Sequence, residues 1–188
     1  MLEKIQEARE FARQLHRNQT HNGKPYVQHL DEVSETLTFF GYHPDITQGK
    51  INKDTCEVLQ ISAYLHDVLE DTPIDRYTIR KVFGDAVEKL VYAVSDGNGS
   101  NRKEKKEITY ERIKETGLLA IILKLADRIS NVKFSDSRSV FQMYWREQEA
   151  FKRALHIPGE CEEMWRHLET LFSSRRRYFY PNEQGDLR

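Results

Sequence analysis

The chain has 188 residues, of which 31% are charged, and its formal net charge is −1. The length suits one domain with a hydrophobic core. The lack of a basic excess argues against a DNA- or RNA-binding protein. No segment approaches the roughly 18 apolar residues of a membrane span. Cys56 and Cys161 indicate neither a disulfide framework nor a zinc site, and we expect a soluble cytoplasmic protein.

Apolar residues recur at helical spacings of three and four along most of the chain. This pattern predicts a first helix over 2–15, and a second over 27–40 that Gly41 closes. A short helix is expected after Pro73, and the remaining helices are predicted over about 54–69, 85–95, 118–132, 140–155 and 160–174. Because no strand pattern of useful length occurs, we expect a single all-α domain over 1–188, with little or no sheet and a short C-terminal tail from about residue 175.

Two stretches between these helices have a distinctive composition. Residues 21–25, with the sequence HNGKP, contain Gly and Pro as helix breakers. Residues 96–103 are glycine-rich and then basic, and they continue into mixed charge as far as Glu107. One interpretation is a solvated, mobile loop that leads into a helix. The other is a flexible arm whose Arg102 and Lys103 contact phosphates.

Two of the predicted helices carry an aspartate within an apolar pattern. Asp67 follows the apolar residues of the third helix, and Asp127 follows LLAIILKLA. A buried carboxylate without a partner is costly, so each needs one. Arg128 follows Asp127 directly, but successive side chains on a helix point about 100° apart, and we do not assume that they pair. A divalent metal ion held by both aspartates would satisfy both.

Two histidines can complete such a metal site. His66 directly precedes Asp67, and His29 lies near the start of the second helix. Two imidazoles and two carboxylates suit Mn²⁺, with Fe²⁺ or Zn²⁺ as alternatives, better than they suit Mg²⁺. A His-Asp dipeptide also occurs by chance, and a single helical histidine is usually structural. It is the set of four residues that favours a metal site.

The segments PYVQH, LHDVLEDT and LKLADRISN occur in this order and resemble the HD-domain phosphohydrolases. The resemblance is greatest to their alarmone hydrolase branch, which comprises the RelA/SpoT homologues and the small alarmone hydrolases, and it extends from about Gly23 to Tyr144. It implies a helical HD-domain bundle and hydrolysis of the 3′-pyrophosphate of guanosine tetra- or pentaphosphate to GDP or GTP and pyrophosphate. It also implies one Mn²⁺ ion at His29, His66, Asp67 and Asp127.

The resemblance assigns further roles around this ion. Glu70 and Asp71 would position and deprotonate the nucleophilic water, and Glu70 is expected one helical turn beyond His66, on the same face. As surface acids at a helix C-terminus, the pair would instead oppose the helix dipole. Asn131 matches an asparagine that contacts the nucleoside. Tyr144 matches a tyrosine of the substrate pocket, although a role as a core aromatic fits nearly as well.

The sequence departs from the family pattern at one place. Long alarmone synthetase–hydrolases carry a basic pair where this chain has Thr20 and His21. We expect His21 and Lys24 to replace part of this pair's binding of nucleotide, with Arg102 and Lys103 as further candidates. The alternatives are an HD nucleotidase or phosphatase that acts on another nucleotide such as NADPH, and a catalytically silent module that senses a nucleotide. We expect a small phosphorylated nucleotide as partner and neither nucleic acid nor membrane; the oligomeric state stays open.

Overall fold

The computed structural model describes residues 2–46 and 51–181. These residues form helices and one antiparallel ribbon, in which Thr20 pairs with Pro25 and His21 with Lys24. The all-α prediction is confirmed. The elements are α1 (Leu2–Leu15), β1 (Thr20–His21), β2 (Lys24–Pro25), α2 (Tyr26–Phe39), α3 (Lys53–Leu65), α4 (Val68–Asp71), α5 (Arg76–Phe83), α6 (Asp85–Val94), α7 (Arg102–Thr116), α8 (Leu118–Lys133), α9 (Arg138–Leu155) and α10 (Glu162–Phe179).

Helix α8 lies at the centre of the core. Every residue from Ala120 to Val132 is buried, because this helix packs against α2, α3, α6, α7 and α10. Its apolar side chains belong to a core cluster shared with α2, α9 and α10, while a second cluster joins α1, α3, α5 and α6. The few polar residues of α8, among them Asp127 and Asn131, are consequently held in the interior beside α2.

The helix predicted over 54–69 is interrupted in the structure. Helix α3 ends at Leu65 and α4 begins at Val68, so His66 and Asp67 lie in the break between them. The Nδ1 atom of His66 lies 2.8 Å from the carbonyl oxygen of Ala63, which is the acceptor that a continuing helix offers to the amide of Asp67. The prediction of one continuous helix was therefore wrong beyond Leu65.

Residues 102–116 form α7, a helix that the sequence analysis did not place. The expectation of a mobile loop or flexible arm is wrong for residues 102–107, and the suggestion that a helix starts there is correct. Contact of Arg102 with phosphate stays a prediction. Asn101 Oδ1 accepts a hydrogen bond from Glu104 N (3.0 Å), and Glu104 Oε2 accepts one from Ser100 N (2.9 Å). These bonds satisfy amide groups at the helix start. The apolar period was obscured because the helix buries little besides Tyr110 and Ile113.

The last helix extends further than predicted. Helix α10 ends at Phe179, so Arg175 to Arg177 lie in its final turns rather than in a tail. Basic residues there complement the helix dipole. Residues 182–188 of the predicted tail lie outside the described residues. None of the described helices is both long enough and apolar enough to cross a membrane.

Candidate active site

The four predicted metal ligands meet at one point in the core, although they come from separate segments. His29 lies on α2, Asp127 on α8, and the His66–Asp67 pair lies between α3 and α4. The Nε2 atom of His66 is 3.1 Å from Asp67 Oδ2 and 3.7 Å from Asp127 Oδ1. The Nε2 atom of His29 is 3.7 Å and 3.6 Å from the same two oxygens. The fold therefore directs all four donor atoms toward a common point.

His66 has the hydrogen bonding of a metal-binding imidazole. Since Nδ1 faces the carbonyl of Ala63, it carries the proton and donates it. Nε2 is buried and makes no aligned hydrogen bond within residues 2–46 and 51–181, although Asp67 Oδ2 lies 3.1 Å away. An imidazole whose second nitrogen donates to a backbone carbonyl is a common form of metal ligand. Together with His29 and Asp127, whose ligand atoms lie within 4.8 Å of it and of one another, this nitrogen fits a divalent ion.

Lys124 is a partner of Asp127 that the sequence analysis missed. Its Nζ atom lies 3.0 Å from Asp127 Oδ2, and the side-chain amide of Asn131 donates to Asp127 Oδ1. Burial disfavours the ionised carboxylate, but Lys124 and the two imidazoles outweigh it and hold the pKa of Asp127 well below its usual range. The sequence contained a signal for this contact, because Lys124 precedes Asp127 by three residues and so shares its helix face.

Arg128 does not serve as the partner of Asp127. Its guanidinium nitrogens NH1 and NH2 each lie 3.3 Å from Glu147 Oε2 on α9. The guanidinium carbon is 4.8 Å from the ring centroid of Tyr144 and 4.6 Å from that of Phe151. Arg128 therefore packs Tyr144 of α9 against α8. The charge of Arg128 is balanced by Glu147, which the sequence analysis also missed.

The two predicted catalytic acids lie on the single turn of α4. Glu70 Oε1 accepts a hydrogen bond of 2.8 Å from the backbone amide of Asp96. Burial raises the pKa of Glu70 to about 7; the positive charge of Lys124 opposes this rise and the carboxylate of Asp67 adds to it. The continuous helical face expected to join Glu70 to His66 does not exist, because the helix breaks between them. Glu70 nevertheless borders the cavity that contains Asp67 and Asp127.

Tyr26 links a predicted metal ligand to a predicted catalytic acid. Its hydroxyl oxygen lies 2.7 Å from Asp67 Oδ2 and 2.8 Å from Asp71 Oδ2. A tyrosine hydroxyl has one proton to donate, so it can donate to only one of the two carboxylates at a time. The ring stacks on His16 with a centroid distance of 4.4 Å, which fixes its direction. Although PYVQH was part of the resemblance, the sequence analysis gave Tyr26 no role.

A cavity of about 180 Å³, here called the cluster cavity, combines these groups. It is also bordered by four basic side chains, which we call the cationic wall: Arg102, Lys106, Lys124 and Arg128. Burial lowers the pKa of Lys106 to about 8, and repulsion from Lys124 and Arg128 adds to the effect. An anion in the cavity would relieve this repulsion. Asn131 and Tyr144 border the same space.

The remaining predicted substrate residues fall in different places. His21 borders the cluster cavity and stacks on His29 with a centroid distance of 4.3 Å. Lys24 borders a neighbouring cavity instead. Lys103 is 86% exposed and pairs with Glu107 at 3.9 Å, so the structure does not bring it to the site. Arg102, the other candidate of the basic segment, does reach the cluster cavity.

The fold and the His/Asp cluster define a class of protein. A family model of the HD domain matches residues 8–152, and the chain belongs to the HD-domain family. Within this family its relatives include proteins named guanosine-3′,5′-bis(diphosphate) 3′-pyrophosphohydrolase MESH1. The human protein of this name is 30% identical over 179 residues, covering 90% of this chain and 93% of its own length.

Further relatives agree with this placement. The MESH1 protein of Danio rerio is 32% identical over 126 residues, a match that covers 65% of this chain and 64% of that protein. A solved structure described as a metazoan orthologue of SpoT that hydrolyses ppGpp aligns with a TM-score of 0.73 at 26% identity. The alignment covers 92% of this chain and 95% of that structure. The similarity thus extends across the helices that carry the cluster.

Proposed function

We propose that this chain hydrolyses the 3′-pyrophosphate of guanosine tetra- and pentaphosphate, giving pyrophosphate and GDP or GTP. The observation that carries the proposal is the cluster cavity, which joins His29, Asp67 and Asp127 to an acid pair and a cationic wall, with His66 beside His29 and Asp127. The names of the MESH1 relatives support the same reaction. A nucleotide substrate also agrees with the cytoplasmic location expected from the sequence.

His29, His66, Asp67 and Asp127 would hold one Mn²⁺ ion, with Fe²⁺ or Zn²⁺ as alternatives. The buried Nε2 atom of His66 makes no aligned hydrogen bond in the described part of the chain and has Asp67 Oδ2 3.1 Å away, which supports this assignment. When bound, such an ion acts as a Lewis acid that favours ionisation of water and offsets phosphate charge.

Glu70 is the group that takes a proton from the attacking water. A carboxyl group with a pKa of about 7 is suited to this role near neutral pH, and the amide of Asp96 fixes one of its oxygens. The water oxygen bonds to the 3′-phosphorus as the bond from that phosphorus to the ribose 3′-oxygen breaks. The 3′-oxygen takes up a proton, and the new oxygen leaves with the pyrophosphate. Asp71, whose carboxylate Tyr26 orients, positions the water.

The cationic wall binds the two phosphates of the 3′-group. Arg102, Lys106 and Lys124 come from two helices and border the same cavity as the acids, where they can stabilise charge that builds up on the phosphate oxygens. Several cations suit a diphosphate better than a monophosphate. Asn131 and Tyr144 contact the nucleoside; one N–H of Asn131 is used by Asp127, which leaves its other N–H and its carbonyl oxygen for the contact. His21 and Lys24 complete the binding of the nucleotide.

Product analysis tests the proposal. Purified protein is incubated with guanosine tetraphosphate and Mn²⁺, and the products are separated by ion-exchange chromatography, with Asp67→Ala as the inactive control. Release of GDP and pyrophosphate that depends on Mn²⁺ and is lost in the control is the expected result. Intact guanosine tetraphosphate together with release of phosphate from NADPH would reject the proposal in favour of the alternative phosphatase. No turnover of either nucleotide, with Mn²⁺ bound, would favour a sensing role.

A further inference from the structure

A second cavity adjoins the cluster cavity. Its volume is about 260 Å³, and it shares His21 and His29 with the cluster cavity. Three basic side chains border it, and we call it the basic cavity after them: Lys24 of β2, Lys133 at the end of α8, and Arg175 of α10. Since these two side chains border both cavities, the two spaces lie next to each other.

The cations of the basic cavity have no acidic partner in the described part of the chain. No carboxylate oxygen there lies within the 4.0 Å of an ion pair from Lys24, Lys133 or Arg175. The two lysines instead lie near the ring of Phe134, with Nζ to centroid distances of 5.7 Å for Lys24 and 4.9 Å for Lys133. Two of the three positive charges thus lie near one aromatic ring, and none of the three is in an ion pair within the described residues.

Arg175 also has an unused donor. Its NH2 group donates to the carbonyl oxygen of Ser135 and lies 3.4 Å from Ser135 Oγ. These contacts anchor the guanidinium to the segment that follows α8. Its Nε atom is buried and has no hydrogen-bond partner among the described residues. A buried N–H group normally has a partner, and a guanidinium binds phosphate through several donors at once.

Glu32 and Asp136 also border the basic cavity. Burial raises the pKa of Glu32, while His29 and a hydrogen bond from Ser130 oppose that rise. The two acids offer hydrogen-bond acceptors to ribose or base groups. The three cations still exceed them by one charge, so the cavity fits a ligand that has both a nucleoside part and an anionic part.

We propose that Lys24, Lys133 and Arg175 bind the 5′-phosphates of the nucleotide whose 3′-phosphates occupy the cluster cavity. The inference rests on the proposed function, because guanosine tetraphosphate carries one diphosphate on each side of its ribose. One diphosphate faces the cationic wall, and the other needs a second group of cations within the length of a nucleoside. The basic cavity provides that group next to the shared wall of His21 and His29.

The test compares two substrates that differ only at the 5′-position. Steady-state kinetics are measured for guanosine 3′,5′-bis(diphosphate) and for guanosine 3′-diphosphate with a free 5′-hydroxyl. Arg175→Gln and Lys133→Gln are each expected to raise KM for the first substrate by about tenfold, the effect of one lost charge-assisted hydrogen bond. For the second substrate, KM should be unchanged by either variant. Arg177→Gln, an exposed neighbour on α10, is the matched control and should resemble the wild type.

A binding experiment separates this inference from the proposed reaction. Calorimetric titration with GDP and with guanosine should give a weaker Kd for GDP alone in both variants, whether or not the chain hydrolyses any 3′-pyrophosphate. Equal effects on both ligands or both substrates, or none, would overturn the inference. Arg175→Gln could lower the melting temperature, because its bond to Ser135 is lost. In that case Lys133→Gln still decides the question, since the Lys133 side chain has no hydrogen bond or ion pair among the described residues.

Discussion

Arg102 at the start of α7 is hydrogen-bonded to Glu147 in the middle of α9, with 2.5 Å between Arg102 Nε and Glu147 Oε1. Glu147 also faces Arg128 of α8, so one carboxylate connects three helices around the cluster cavity. The bond uses one edge of the Arg102 guanidinium and directs the group to the cavity wall. Glu147 itself does not border the cavity, and it therefore acts on a ligand only by positioning the arginines.

We expect Glu147→Gln to weaken substrate binding more than it slows turnover. Loss of the charge-assisted bond frees Arg102 to leave the wall, which should cost about 1 kcal/mol, or roughly fivefold in KM, with a smaller change in kcat. Steady-state kinetics with guanosine tetraphosphate measures both constants. In an Arg102→Gln background the same substitution should have a smaller effect on KM, because only its contact with Arg128 is left to lose. Full additivity would show that Glu147 acts without Arg102, and Glu149→Gln, exposed on the same helix, is the control.

Replacing Tyr26 by Phe should impair the metal site while leaving the fold intact. The hydroxyl that orients the carboxylates of Asp67 and Asp71 is lost, whereas the ring can still stack on His16. Loss of such a supporting contact typically costs 10- to 100-fold in metal affinity or activity, and we expect about tenfold in Mn²⁺ affinity. Titration with Mn²⁺ followed by electron paramagnetic resonance measures it. An unchanged affinity would contradict the role, and Tyr77→Phe, which changes an exposed ring, provides the comparison.

The activity should pass through a maximum between about pH 7 and pH 8. Glu70 must be ionised to accept a proton, and its pKa of about 7 means that kcat/KM rises as the pH increases through that value. Lys106 must be charged to bind phosphate, and its pKa of about 8 means that kcat/KM falls above that value. A pH profile of kcat/KM tests both limbs. Lys106→Arg should shift the upper limb to higher pH, and an unchanged upper limb in that variant would contradict the assignment.

The raised pKa of Glu70 also predicts how the stability of the folded chain depends on pH. The pKa of Glu70 is raised from its ordinary value of 4.5 to about 7 in the folded chain, so the folded state binds more protons than the unfolded state between these values. The free energy of unfolding therefore decreases as the pH rises through this window. In protein treated with a chelator, Glu70→Gln should raise the melting temperature at pH 8 but not at pH 4. Equal changes at both pH values would exclude this explanation.

Gly97→Ala should lower both stability and turnover. A Cβ atom at this position would lie 2.6 Å from Ile108 Cβ, and the Gly97 amide donates to Thr109 Oγ1. To relieve this clash the segment around residue 97 must move. The same segment directs the Asp96 amide toward Glu70. We expect a loss of about 1–3 kcal/mol in the free energy of unfolding, as for other overpacked sites, with a fall in kcat. Chemical denaturation and kinetics test this, and Asn98→Ala, which changes an exposed residue of the same loop, should have little effect.

The helices with a clear apolar period were predictable from the sequence. The pattern placed α1, α2 and α8 within a few residues of their observed bounds, because burial of one face leaves a period of 3.6. It failed at α7, where charged residues surround the few apolar ones, and at His66, where a side chain takes over a backbone acceptor. A capping pattern at Asn101 and Glu104 was the one local signal of α7 that could have been used.

The sequence by itself determined the residue types of the cluster, because an aspartate in an apolar helix demands a partner wherever it is found. The spacings of His29, His66, Asp67 and Asp127 within recognisable segments were enough to group them. Only the tertiary structure decided what surrounds them. Arg102 and Glu147 are separated by 45 residues, and Lys24 and Arg175 come from opposite ends of the chain. Such contacts depend on how helices pack, and local spacing carries no information about them.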